Sequence, residues 1–251
     1  AKDCRKIPGG NRRPPHQPPS TIRLSVNVKS HTDTGGSTSL WLDTSALETS
    51  IALVRGDQIL IQRISETNAL DFLFSALGNC LKSKGLAFEE LGDIYYCEGP
   101  GSSLGLRIGA MALKTWKTLR PEMPLYACRS LPLHAILLAG DVETPDSFSL
   151  VGQWKKGTWF HLEHQKNATT AAKEMNTLTD AEVLELKGPV YHIKQRKFST
   201  QPAAHFLPVS TNLNGLPKAL ITPGLFRKVD QPELFNIGTP TFKKWTPVRH
   251  R

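Results

Sequence analysis

Residues 91–119 carry the pattern that most restricts the fold. An apolar run of strand length, Leu91-Gly92-Asp93-Ile94-Tyr95-Tyr96-Cys97, gives way to Gly99-Pro100-Gly101-Ser102-Ser103, and from Leu104 to Leu119 the apolar positions Leu106, Ala110, Leu113 and Trp116 recur at helical spacing. Glycines let the backbone reverse with no linker between strand and helix. Pro121 and Pro124 stop the helix, and Pro124-Leu125-Tyr126-Ala127-Cys128 reads as another short strand. A strand, a helix and a second strand in immediate succession predict a crossover between parallel neighbours of an α/β sheet.

The preceding residues predict an antiparallel meander. Leu40-Trp41-Leu42-Asp43-Thr44-Ser45, Ser50-Ile51-Ala52-Leu53-Val54-Arg55 and Gln58-Ile59-Leu60-Ile61-Gln62-Arg63 are strand-length runs, the last two separated by Gly56-Asp57. A helix follows. Ser65-Glu66-Thr67-Asn68 supplies capping residues, Leu70, Phe74, Leu77 and Leu81 recur at helical spacing beside Leu73, and Lys82-Ser83-Lys84-Gly85 closes it. The expected order over 39–135 is therefore β-β-β-α-β-α-β. The second half is less patterned. A hairpin is expected where Phe148–Trp154 and Thr158–His164 flank Lys155-Lys156-Gly157, and a capped short helix from Thr179 to Leu186. Beyond 195 the chain is rich in Pro and Asn without a long period.

Three segments follow from this. Residues 1–38, with Pro8-Gly9-Gly10 and Pro14-Pro15-His16-Gln17-Pro18-Pro19, are expected to be a disordered basic extension, because proline removes amide donors and glycine adds backbone entropy. Residues 39–135 form the first domain, and 136–251 a reduced second subdomain with a basic tail. The net charge of +9 divides accordingly. There are 7 Lys/Arg against 2 Asp/Glu in 1–38, 9 against 10 in 39–135, and 15 against 10 in 136–251. Basic flanks read either as solvated tails or as phosphate contacts. No apolar run approaches 18 residues, so a membrane-spanning helix is not expected. Cys4, Cys80, Cys97 and Cys128 form no C-x-x-C, which argues against zinc ribbons and a dense disulfide framework and suits a reducing, cytoplasmic setting.

Gly99-Pro100-Gly101-Ser102-Ser103-Leu104-Gly105-Leu106-Arg107-Ile108-Gly109 has two readings. The helix N-terminus could present its amides to an anion, with Arg107 pairing a phosphate or carboxylate. Alternatively, the helix start needs small residues for packing. This string, together with Asp43-Thr44-Ser45 at the end of the first strand, resembles the bacterial TsaB family of tRNA threonylcarbamoyladenosine biosynthesis proteins. Those proteins read L-A-I-D-T-S and G-P-G-S-F-T-G-L-R-I-G at the corresponding places. The resemblance covers about 39–135, is thin over 136–251 and is absent over 1–38. Ser103-Leu104 replaces the usual Phe-Thr, so a threonine contact there is not carried over.

The resemblance implies an actin-like ATPase fold of ribonuclease H type. It also implies a non-catalytic scaffold that heterodimerises with a TsaD-type carbamoyltransferase through the two helices of the first domain and works with a TsaE-type ATPase. That complex modifies adenosine 37 of tRNA, which this chain would meet through the complex; homodimers in isolation are also expected. The alternatives are an active nucleotide-dependent phospho- or acyltransferase of the same superfamily, and a free-standing tRNA-binding module. On this reading the candidate nucleotide or phosphate loop is Asp43, Thr44, Ser45, Gly99, Pro100, Gly101, Ser102 and Arg107. The candidate partner face is Leu70, Leu73, Phe74, Leu77, Leu104, Ile108 and Met111. No catalytic residue, metal ligand or cofactor is assigned to this chain alone, with ATP or ADP expected only in the complex. Asp43 could position hydrated magnesium or serve as a turn carboxylate.

Other constellations are less specific. The H-x-x-x-H metal pair of TsaD-type proteins corresponds here to Ser130-Leu131-Pro132-Leu133-His134, where one imidazole stands alone and Pro132 is expected to disturb the turn. In His161-Leu162-Glu163-His164 a strand would send His164 to the opposite face from His161. Asn167-Ala168-Thr169 is a sequon without a secretion signal. The tail Phe242–Arg251 interleaves cations with Phe242 and Trp245, as contacts to bases and phosphates would, or a solvated terminus.

Overall fold

The computed structural model describes residues 36–168, 174–196 and 198–235. Nearly all of the expected N-terminal extension, Thr169 of the sequon and the Phe242–Arg251 tail lie outside the described residues. Strands β1 (Thr38–Asp43), β2 (Thr49–Arg55) and β3 (Gln58–Ser65) form the expected antiparallel meander. Helix α1 (Ala69–Lys84) leads to β4 (Leu91–Gly99), which is parallel to β1, and α2 (Ser103–Leu119) leads to β5 (Leu125–Arg129), which is parallel to β4. The predicted β-β-β-α-β-α-β order is present. The period of two sends Leu40, Leu42, Ile51, Leu53, Ile94, Tyr96 and Leu125 to the face covered by α1 and α2. It sends Trp41, Ala52, Val54, Cys97 and Cys128 to the opposite face. Both faces are buried, as parallel strands require.

Local signals account for the limits of α1. The Asn68 side chain accepts from the Leu70 amide at 3.1 Å, and Gly85 at φ +63° closes the helix in a left-handed cap that a β-carbon would strain. The sequence places Leu70, Phe74, Leu77 and Leu81 on one stripe, and here the structure corrects it. The sheet-facing line is Phe72, Leu73, Ala76, Leu77, Cys80 and Leu81, whereas Leu70 and Phe74 are 54% and 48% exposed. Two apolar lines run along this helix, and the periodicity alone does not say which one faces the sheet.

A helix the sequence did not announce, α3 (Ser130–Ala139), follows β5 directly. Pro132 is its third residue, where the first turn needs no amide donor, so the expected disturbance does not occur. The helix lies between two sheets. Leu133 packs into the cluster beneath the first sheet, while Leu131 and Ala135 pack into a second cluster with Phe148, Leu150, Phe160 and Leu162. That cluster belongs to the hairpin β6 (Ser147–Lys155) and β7 (Thr158–Gln165), turned at Gly157 with φ +77° as expected. β8 (Asn176–Thr179) adds antiparallel to β7, and β9 (Val190–His192) and β10 (Leu207–Pro208) add parallel beyond β6. The short helix α4 (Asp180–Leu184) starts from the expected Thr179–Glu182 capping box.

The chain then returns to the first sheet. Helix α5 (Leu216–Leu220) covers the Trp41 face, and β11 (Arg227–Val229) pairs antiparallel with β5, giving the order β11-β5-β4-β1-β2-β3. Residues 213–229 therefore complete the first layer and add no strand to the second sheet. No helix among the described residues is long and apolar enough to cross a membrane.

The second sheet has a pH-sensitive interior. His161 lies 3.1 Å (Nε2) from the Ser149 hydroxyl, while His164 Nε2 and His192 Nδ1 are buried with no hydrogen-bond partner. Burial pushes all three imidazoles below their ordinary value of 6.5. A depressed folded-state value means that stability is present above the unfolded value and lost as pH falls through the folded one. The urea midpoint is therefore expected to drop between pH 7.5 and pH 5.5. His164→Phe, which keeps a ring against Phe148, should flatten that drop; an unchanged pH profile in this variant would remove His164 as a cause.

Candidate functional site

The candidate loop is assembled where β1 and β4 end side by side. Asp43 Oδ1 accepts from the Ser45 amide at 2.7 Å, which fixes Asp43-Thr44-Ser45 as a turn. All three residues are buried. This turn lies against the glycine face of α2. A β-carbon at Gly101 would collide with the Ser45 carbonyl, one at Gly105 with the Thr44 carbonyl, and one at Gly109 would press on the Thr44 hydroxyl. Gly99 sits at φ +104°, a conformation that side-chain-bearing residues rarely adopt. The Ser102 amide donates to the Ser45 carbonyl at 2.6 Å, and the Gly105 amide to Ser102 Oγ at 3.3 Å. Ser130 Oγ holds the loop from beneath by donating to the Pro100 carbonyl at 2.6 Å.

The structure thus brings together Asp43, Thr44, Ser45, Gly99, Pro100, Gly101 and Ser102, but not Arg107. The recesses left by the glycines are filled by Thr44 and Ser45, and two of the first amides of α2 already have acceptors. Close packing accounts for Gly101, Gly105 and Gly109 without a ligand. Arg107 is exposed on the side of α2 away from Gly105 and Gly109 and forms no ion pair among the described residues. His134, the remaining half of the H-x-x-x-H position, is a core residue whose Nδ1 lies 2.8 Å from the Ser130 carbonyl. Among the described residues no three His, Cys, Asp or Glu side chains gather in a way that could hold a metal.

Sequence reasoning missed the neighbours of this loop. A cavity of about 240 Å³ lies at the ends of β4 and β5, lined by Glu98, Cys128, Arg129, Pro132, Gly224 and Arg227. Burial raises the Glu98 carboxyl, opposed by the Arg227 guanidinium hydrogen-bonded to it. Glu233-Leu234-Phe235 straps the same end. The Glu233 amide donates to Tyr96 Oη at 3.0 Å and the Phe235 amide to the Glu98 carbonyl at 2.9 Å. Leu234 lines a small recess together with Thr44, Leu106 and Gly109. The Phe235 ring packs on Phe160 at 5.6 Å and beneath Arg129 at 4.9 Å, so it joins the two sheets. The only sequence signal was the position of Glu98 at a strand end; its hydrogen-bond partners, Arg227 and the Phe235 amide, are more than a hundred residues away.

The candidate partner face separates into two sets. Leu73 and Leu77 are core residues at 0% and 5% exposure and cannot meet a partner. Leu70, Phe74, Leu104 and Met111 are each about half exposed or more, and Ile108 is partly buried between them and the core. Phe74 meets Trp116 of α2 edge to face at 6.3 Å, so the two outward lines belong to adjoining helices.

A three-stranded meander continued by two helix-crossed parallel strands, joined to a second smaller sheet, defines an α/β protein with the actin-like ATPase fold of ribonuclease H type. The chain belongs to the TsaD family, described as tRNA N6-adenosine threonylcarbamoyltransferase, whose sequence pattern it matches over residues 63–208. Its fold is that of YeaZ from Pseudomonas aeruginosa, a TsaB-type protein, with a TM-score of 0.59 and 16% identity over 80% of this chain and 100% of that one. A second structure, an uncharacterized protein with similarity to peptidase YEAZ from Pseudomonas aeruginosa, gives 0.57 and 16% over 80% and 99%. Comparison with curated proteins finds no match.

Proposed function

We propose that this chain is the non-catalytic scaffold subunit of a tRNA threonylcarbamoyladenosine complex, pairing through the outer face of α1 and α2 with a TsaD-type carbamoyltransferase. The observation that carries this reading is the line Leu70, Phe74, Leu104 and Met111 on two adjoining helices, large apolar side chains about half exposed or more among the described residues, with Ile108 partly buried beneath them. Such patches mark association surfaces. The self-filled glycine recesses support the non-catalytic half of the reading, since Thr44 and Ser45 stand where a phosphate would have to approach the backbone of α2. The scaffold would act by holding its partner in the active arrangement, with the TsaE-type ATPase and tRNA engaging the assembled pair.

Light scattering on size-exclusion eluates, with this chain alone and mixed with the TsaD-type protein of the same genome, tests the proposal. A one-to-one complex is expected. Met111→Asp should weaken it about 100-fold, in keeping with loss of a central apolar anchor, and leave the melting temperature of the free chain unchanged because the side chain is already exposed. No complex, with or without ATP, would sink the pairing. Tight ATP binding by the chain alone, abolished in Asp43→Ala, would replace it with the transferase reading.

A further inference from the structure

The outer face of α1 and α2 has a charge pattern that its apolar line does not explain. Residues 39–135 hold 10 Asp/Glu and 9 Lys/Arg. Five of those cations but only one of the acids lie on these two helices: Lys82, Lys84, Arg107, Lys114 and Lys117 against Asp71. Lys82, Lys84, Arg107 and Lys114 are exposed, and Lys117 is half-buried with its ammonium on the Met123 carbonyl. None of the five is in an ion pair among the described residues. Arg107 and Lys114 stand one turn to either side of Met111, and Lys82 lies two turns beyond Phe74 on the same side of α1. The face is an apolar centre with a cationic rim, on a domain that is otherwise acidic.

We infer that the occupant of this face is a protein whose own apolar centre is ringed by Asp and Glu, and that this rim selects it over a second copy of the present chain. The inference rests on the pairing proposed above and names the chemistry of the partner surface. A two-fold dimer through this face would set each patch against itself, bringing Arg107, Lys114 and Lys82 against the same cations across the axis. Like charges facing one another suppress the wrong partner, and opposite charges accelerate the right one. A nucleic acid fits the centre poorly. Phosphates would leave Leu70, Leu104 and Met111 facing a hydrated backbone, and Phe74 is the only aromatic on the exposed line.

The test measures association kinetics with the TsaD-type protein between 50 and 500 mM NaCl. The on-rate is expected to fall about 10-fold or more over that range. Arg107→Glu with Lys114→Glu should cost about 10-fold in on-rate at low salt with the off-rate within about threefold, because rim charges act mainly on encounter. Lys156→Glu, on the hairpin of the second sheet, should change neither. A salt-independent on-rate indifferent to the double reversal overturns the rim while leaving the pairing intact. An independent arm needs no partner. Sedimentation of the chain alone should show self-association that strengthens as salt rises, and a homodimer tightest at 50 mM overturns the inference. If no heterocomplex forms, the pairing fails and this second arm decides the rim. Binding of tRNA that the double reversal abolishes also overturns it.

Discussion

Gly105→Ala is expected to destabilise the protein by about 3 kcal/mol, although the same change inside a helix ordinarily stabilises by up to about 1 kcal/mol. The sign reverses because the new methyl group would sit on the Thr44 carbonyl, a backbone atom held by the Asp43 turn that cannot swing aside as a flexible side chain would. Gly101→Ala meets the Ser45 carbonyl and should behave alike. Gly78, exposed on α1 with nothing within 4 Å of an added β-carbon, is the internal control, and Gly78→Ala should raise stability. Urea unfolding of the three variants measures this. If Gly105→Ala tracked Gly78→Ala, the close approach of the turn to α2 would be wrong.

Leu131→Ala is expected to cost about 2–5 kcal/mol, the range for truncating a buried leucine that neighbours cannot replace. Leu131 is fully buried, and an extra β-carbon on Gly152 would already touch it. It faces the second sheet, yet the loss should appear as one earlier transition of the whole chain. The reason is connectivity. Leu133 on the other side of the same helix belongs to the first core, and Phe235, bonded to the end of β4 and packed on Phe160, ties the layers again. Far-UV circular dichroism and tryptophan fluorescence, which Trp41 of the first sheet and Trp159 of the second both report, should give coincident midpoints. Two separated transitions would show that the layers unfold independently.

The meander and the β6–β7 hairpin were legible as apolar runs of strand length bounded by Gly turns, and the two flanking helices because each keeps one exposed polar side that writes a period into the residues. Helix α3 was not. It is covered on both sides, and Leu131, Leu133, Ala135, Ile136 and Leu137 leave no polar stripe from which to read a period. β11 is three residues, Arg227-Lys228-Val229, that become a strand only because the edge of β5 is there to receive them. At the candidate site the glycine string was visible, but what occupied its recesses was not, since Thr44 and Ser45 arrive from a different strand. The partner face was half legible. Two apolar lines on α1 carry the same residue types, and only the packed structure separates Leu73 and Leu77 from Leu70 and Phe74.

The return of the chain to its first sheet has a consequence for biosynthesis. β5 leaves the ribosome roughly 100 residues before β11 does, which is about 5–20 s of translation. For that interval the sheet has an open edge, and the face bearing Trp41, Cys97 and Cys128 lacks the cover of Leu213, Leu216, Ala219 and Leu225. The nascent N-terminal half is an unfinished layer that must wait, with an adhesive strand exposed, for its last pieces. Emergence of β11, and not of the first five strands, is then the step at which the first sheet becomes complete. Premature termination anywhere before Val229 should yield aggregates in place of a smaller folded fragment.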